Sequence, residues 1–141
     1  MGCGCILQSM NAIIKWKGGV RFEAQSRGHK VLSDQPVENG GDDQAMTPPE
    51  LMLASLGTCA AYYALQYLRI HKLPADDLTI GVEAEKALNP ARIGVFRIHV
   101  ESQAASDPKH YEGIMRAVKK CLIHNTLVGT PRIEIDVPVA A

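Results

Sequence analysis

Eighteen consecutive residues, Leu51 to Leu68, carry no charged side chain, and a sharply marked helix start stands directly ahead of them. Thr47 is a good N-cap, Pro48 suits the first helical position, and Glu50 completes a Thr-x-x-Glu capping box. The pattern predicts a helix from Pro48 to about Ile70, ended by Leu73-Pro74. A run of this length is nominally enough to cross a bilayer. It contains Ser55, Gly57, Thr58, Gln66 and three tyrosines, however, and lacks Lys/Arg asymmetry at its flanks. A helix that is apolar all round lies either in lipid or inside protein, and the polar content here favours protein.

The rest of the chain has to cover that helix. Asn11 to Lys17 and Val20 to Gln25 have strand character and are joined by Gly18-Gly19, a hairpin signal. Ser26-Arg27-Gly28-His29 reads as a second turn leading into Lys30 to Ser33. Asp34 to Met46, with Pro36, Asn39, Gly40 and Gly41, reads as a loop. Beyond the helix, Leu78 to Ala87 and Ile93 to Glu101 form two further strands around a turn at Asn89-Pro90. Phe96, Ile98 and Val100 alternate with Arg97, His99 and Glu101, as in a half-buried strand. Asp107-Pro108 opens a second helix, with Tyr111, Ile114, Met115, Val118 and Leu122 at helical spacing. Ile133, Ile135 and Val137 alternate with Glu134 and Asp136 in a last strand. The expected order is βββ-α-ββ-α-β, an α+β fold without the βαβ alternation of doubly wound sheets. No glycine-rich phosphate loop follows a strand, so nucleotide binding has no support and no cofactor is expected.

Fifteen Lys and Arg balance fifteen Asp and Glu in a chain of 141 residues. That balance offers no basic surface to nucleic acid or anionic lipid, and near-zero net charge favours self-association. The N-terminus lacks a secretory signal pattern, so a cytoplasmic setting is expected. Residues 1–9 read as a leader or extension, with Met10 a natural start and 10–141 a single domain.

Four cysteines fall into two unlike pairs. Cys3 and Cys5 lie in the leader. Cys59 lies in mid-helix within the uncharged run, and Cys121 near the end of the second helix. Without a secretion signal, such cysteines are more often free, catalytic or metal-binding than structural disulfides. A buried helical cysteine by itself is usually a small hydrophobe. Two of them on two helices that both need a buried face can meet, because such helices commonly pack together. His29, His71, His99, His110 and His124 show no metal-ligand spacing, although His124 stands three residues beyond Cys121 and could tune it. Tyr62 and Tyr63 follow Cys59 at helical spacing and suit a core or pocket lining.

The segment Thr47-Pro48-Pro49-Glu50-Leu51 through Leu56-Gly57-Thr58-Cys59 resembles the central helix of the OsmC/Ohr family, in which a Pro-Glu-Leu-type start leads to a reactive cysteine. Cys121-Leu122-Ile123-His124-Asn125 resembles that family's second cysteine segment, and Ile133-Glu134-Ile135 its closing strand. The likeness extends over roughly Met10 to Val137, including the Trp16-Lys17-Gly18 hairpin. It implies an intertwined homodimer that reduces organic hydroperoxides in oxidative or osmotic stress. Cys59 would attack the peroxide and Cys121 would resolve the resulting sulfenic acid to a disulfide, which a dithiol reductant resets. The non-catalytic alternative is a dimer of the same fold that binds a small apolar ligand.

A thiolate within an apolar helix needs a nearby cation, since desolvation disfavours it. The resemblance points to Arg21, beside the Gly-Gly turn, with Arg27 as the other candidate. Many family members carry a site glutamate ten residues before the reactive cysteine, and Pro49 stands there in this chain. Glu50 comes nine before Cys59; on one helix that is about 900° of rotation and roughly 13 Å of rise, so the two side chains leave opposite faces. Glu50 is therefore expected to act across a dimer interface, to anchor Arg21, or to cap its own helix. Leu122 replaces a proline common after the resolving cysteine, and His124 a common serine.

Overall fold

The computed structural model describes residues 9–139. Cys3, Cys5 and nearly all of the expected leader lie outside the described residues. The chain divides into two compact units, one ending at Leu51 and the other beginning at Met52.

In the first unit, β1 (Ile13–Trp16), β2 (Phe22–Ser26) and β3 (His29–Ser33) form an antiparallel sheet in the order β1-β2-β3. The Gly-Gly turn closes the first hairpin through Lys17 N–H to Arg21 O at 2.9 Å and Arg21 N–H to Gly18 O at 3.0 Å. Gly18 and Gly19 sit at φ 100° and 55°, a region that costs most other residues steric strain. The second turn has Arg27 at φ 50° and Gly28 at φ 81°, the paired positive values of a type I′ hairpin turn. Its register pairs Ser26 with His29 and, at the far end, Phe22 with Ser33. The predicted loop then folds back on itself, with Asp34 N–H bonded to Met46 O at 3.3 Å.

Helix α1 (Pro48–Ile70) has the boundaries expected from sequence. Glu50 Oε2 accepts the Thr47 N–H at 2.7 Å and its hydroxyl at 2.9 Å, which completes the capping box. Its C-terminus is set not by Pro74 but by Lys72 in the left-handed region at φ 55°. The Leu73 N–H then returns to Leu68 O at 2.8 Å, a Schellman closure made without glycine.

The second unit buries one stripe of α1: Leu56, Ala60, Ala64 and Leu68, four residues apart. Against it pack β4 (Thr79–Ala87), β5 (Arg92–Glu101) and α2 (Pro108–Val118). The β4–β5 pair is antiparallel, with Thr79 opposite Glu101 and a bulge at Glu85/Lys86. Ile80, Ile98 and Val100 lie against a core of Ala60, Ala64, Leu68, Ile114 and Val118. Met52 and Tyr62 stay 39% and 56% exposed, so within this unit α1 is covered on one side rather than all round.

Two expectations are corrected. The second helix does not run through Leu122: α2 ends at Val118, and a separate α3 (Leu122–Val128) follows. Neither glycine nor proline marks the break; Cys121, at ψ 128°, stands between the helices in extended geometry as the N-cap of α3. The last strand is also absent, since residues 130–139 form no strand among the described residues. Its apolar alternation is real, but Ile133, Ile135 and Val137 are 80–87% exposed. A strand exists through a ladder of hydrogen bonds, and no described strand pairs with this one. Among the described residues no helix is long and apolar enough to cross a membrane.

Candidate functional site

The second unit brings together the two cysteines that the sequence singled out. Cys59 is half-buried on α1 and Cys121 fully buried, and both are free thiols. Cys59 is near enough to Cys121 to raise its thiol pKa. Its sulfur also accepts the His124 backbone N–H at 3.4 Å, which makes it the cap of α3.

Burial pushes the Cys121 thiol above its ordinary pKa, and Cys59 acts in the same direction. The N–H groups of His124 and Ile123 pull the other way without reversing the shift. Cys121 is thus held protonated at neutral pH.

A cavity of about 260 Å³ is walled by Leu56, Phe96, Ile98, His124, Leu127 and Val128. Leu56 is three residues before Cys59 on α1, and His124 lies in the first turn of α3, which Cys121 caps. The lining is largely apolar, suited to a carbon-rich ligand rather than to an ion. His124 touches Cys121 through its backbone; its ring Nδ1 lies 3.2 Å from Asn125 Oδ1. Tyr62 is exposed and meets Tyr63 edge-to-face at 5.3 Å.

Glu50 and Arg21 belong to the first unit. The Glu50 carboxylate is engaged by Thr47, whose N–H and hydroxyl hold it below the usual carboxylate range. Arg21 lies one step beyond the last β2–β3 pair, Phe22–Ser33, and Asp34 follows Ser33 at the same end. Its Nε is buried and has no hydrogen-bond partner among the described residues. Arg27 occupies the tip of the second turn and is exposed.

Asp34 is the residue that sequence reasoning missed, having been assigned only to a loop. It is 1% exposed. Its Oδ1 accepts the Gln35 N–H at 2.8 Å, and its Oδ2 those of Gln44 at 3.0 Å and Asp42 at 3.2 Å. Burial alone would raise its pKa, but these three N–H groups and the Arg21 charge together lower it. Counting back from the Arg27-Gly28 turn would have found it, since a two-residue hairpin centred there brings positions 21 and 34 to the same end. Among the described residues no three His, Cys, Asp or Glu side chains cluster as a metal site.

No curated protein sequence matches the chain. Several solved structures share its fold at low identity. A Psychrobacter arcticus protein described as an osmotic stress induced and detoxification response protein is 20% identical, with a TM-score of 0.73 over 86% of this chain and 90% of the other. An organic hydroperoxide resistance protein OsmC from Legionella pneumophila is 19% identical, with a TM-score of 0.60 over 87% and 91%. An organic hydroperoxide resistance protein from Elizabethkingia anophelis is 16% identical, with a TM-score of 0.62 over 89% and 92%. The family model for OsmC-like protein matches residues 40–136. That match takes in both cysteine segments and more than half of the sequence, and the chain belongs to the OsmC-like family.

Proposed function

We propose that this protein reduces organic hydroperoxides with a cysteine pair, Cys59 attacking and Cys121 resolving, and serves in oxidative or osmotic stress defence. The proximity of the two thiols, close enough for Cys59 to raise the Cys121 pKa, carries the reading. Cys59, the more accessible of the two, attacks the terminal peroxide oxygen as a thiolate. The O–O bond breaks, Cys59 becomes a sulfenic acid, and the alkoxide leaves as an alcohol after taking a proton. The Cys121 sulfur then displaces hydroxide from Cys59, water departs, and a disulfide remains. An external dithiol reduces it by exchange, and both thiols return.

Cys121 suits the resolving role because its raised pKa keeps it a thiol until the sulfenic acid forms. Arg21 supplies the positive charge that favours the Cys59 thiolate, in the chain's own fold or across a homodimer. Glu50 serves this scheme by fixing the start of α1 through Thr47. The apolar cavity lined by Leu56, three residues before Cys59, and by His124, three beyond Cys121, favours alkyl or aryl hydroperoxides over hydrogen peroxide. The same cavity supports a second reading, a non-catalytic dimer that holds a small apolar ligand.

Consumption of cumene hydroperoxide with dithiothreitol as reductant separates the two. Wild type should turn over, and Cys59→Ser should lose all activity. Peroxide-treated wild type should contain a Cys59–Cys121 disulfide, whereas Cys121→Ser should leave a sulfenic acid on Cys59 that dimedone traps. Wild-type protein that consumes no peroxide would remove the enzymatic reading and leave the ligand-binding one.

A further inference from the structure

We infer that Asp34 is the positioning residue for Arg21: a buried carboxylate, fixed by its own loop at the strand end next to Arg21, whose charge orients the guanidinium. The inference rests on the role proposed above for Arg21 and names the residue that controls it. Three observations support it. The β2–β3 register runs from Ser26–His29 to Phe22–Ser33, so Arg21 and Asp34 are the residues next to its last pair, and the Arg21 charge acts on the Asp34 carboxyl.

Second, the carboxylate cannot swing away. Backbone N–H groups of Gln35, Asp42 and Gln44 all donate to it. The loop that brings them is closed by Asp43 N–H to Gln35 O at 3.0 Å and Gly41 N–H to Pro36 O at 3.1 Å. Gly41 is required for this closure, since a Cβ there would collide with the Gln35 backbone. Third, Arg21 Nε is buried with no hydrogen-bond partner. A buried, unpaired donor on a cation is costly unless a negative charge lies close, and Asp34 is a buried carboxylate on the facing strand end. Glu50 is not available for this work, because Thr47 occupies its carboxylate.

The test is a double-mutant cycle on Arg21 and Asp34, read by the pH profile of Cys59 alkylation with iodoacetamide. Arg21→Ala should slow the reaction at pH 7 about tenfold, the equivalent of one pKa unit on the thiol. Asp34→Asn should move the profile the same way and slow the reaction severalfold. The double variant should be no slower than Arg21→Ala, because Asp34 acts only through the arginine. If Asp34→Asn slows both backgrounds equally, or slows neither, the positioning role is wrong while the Arg21 reading stands. If Arg21→Ala alone reacts at the wild-type rate, the Arg21 reading fails and takes this inference with it.

Should Asp34→Asn not fold, the wild-type protein decides. Its Arg21 Nε–H resonance, assigned by its loss in Arg21→Ala, should shift as a carboxyl titrates below 3.8. A resonance unmoved through that range overturns the pairing.

Discussion

The phenol of Tyr67 on α1 lies directly over the α2 backbone at Gly113, with its hydroxyl 3.0 Å from His110 Nδ1. The ring also stacks on His71 at a centroid separation of 4.1 Å. A Cβ at Gly113 would collide with the phenol, and the phenol is held from two sides.

Two effects oppose each other in Gly113→Ala. Replacing a mid-helix glycine gains about 1 kcal/mol of helix propensity, while overpacking a fixed contact costs about 1–3 kcal/mol. With the phenol held on both sides the contact should win, for a net loss of up to about 2 kcal/mol in urea unfolding. Gly81→Ala is the matched control, because its Cβ would meet only His99 Cβ at 3.9 Å, an ordinary contact. It should leave stability unchanged or slightly higher.

The capping box gives a second expectation. Thr47→Ala removes the hydroxyl that bonds Glu50 Oε2 at 2.9 Å and caps the Glu50 N–H at 3.4 Å. Loss of an N-cap costs about 1 kcal/mol, and thermal unfolding should show the corresponding fall in Tm. Thr47→Ser keeps the hydroxyl and should recover most of it.

Cys121 makes stability depend on alkaline pH with a fixed sign. Its folded pKa is raised above the ordinary 9.0, so the native state holds that proton more tightly than the unfolded chain does. The stabilisation is complete below 9.0 and is lost as pH rises through the raised value. In reducing buffer, wild type should therefore lose stability above pH 9 more steeply than Cys121→Ala. Parallel pH profiles for the two proteins would refute the burial argument. Asp34 and Glu50 carry the opposite sign, since both are lowered. Their contribution is lost as pH falls below the unfolded carboxyl range.

How much of this could be read from sequence depends on whether the signal was local. The Thr47-to-Glu50 box, the two glycine-bearing turns and the Asp107-Pro108 start are set by neighbours a few residues apart, and each element begins within two residues of its expected place. The α2–α3 break was not legible, because no breaker residue marks it and a buried sulfur caps the second helix instead. The pairing of Cys59 with Cys121 could be named only through resemblance, since periodicity places both cysteines on buried faces without saying that the faces meet. Asp34 was hidden for a different reason. A buried aspartate has the same letters as a loop aspartate, and only the strand register distinguishes them.

The exposed C-terminal segment leads to the last prediction. Ile133, Ile135, Val137 and Val139 recur at every second position and are 80–95% exposed. Their polar neighbours Glu134 and Asp136 alternate with them, which is the pattern of a strand with one face meant for burial. Unsatisfied backbone groups and a row of β-branched side chains form a template for pairing with another chain. Met52 and Tyr62 likewise leave an apolar side of α1 open in one copy. A homodimer would satisfy both requirements at once. Light scattering at micromolar concentration should give twice the 15.3 kDa chain mass. Ile135→Glu should shift the protein toward monomer, because a charge would then sit on the face to be buried. If wild type and variant both measure 15.3 kDa, the second copy is not what covers this strand.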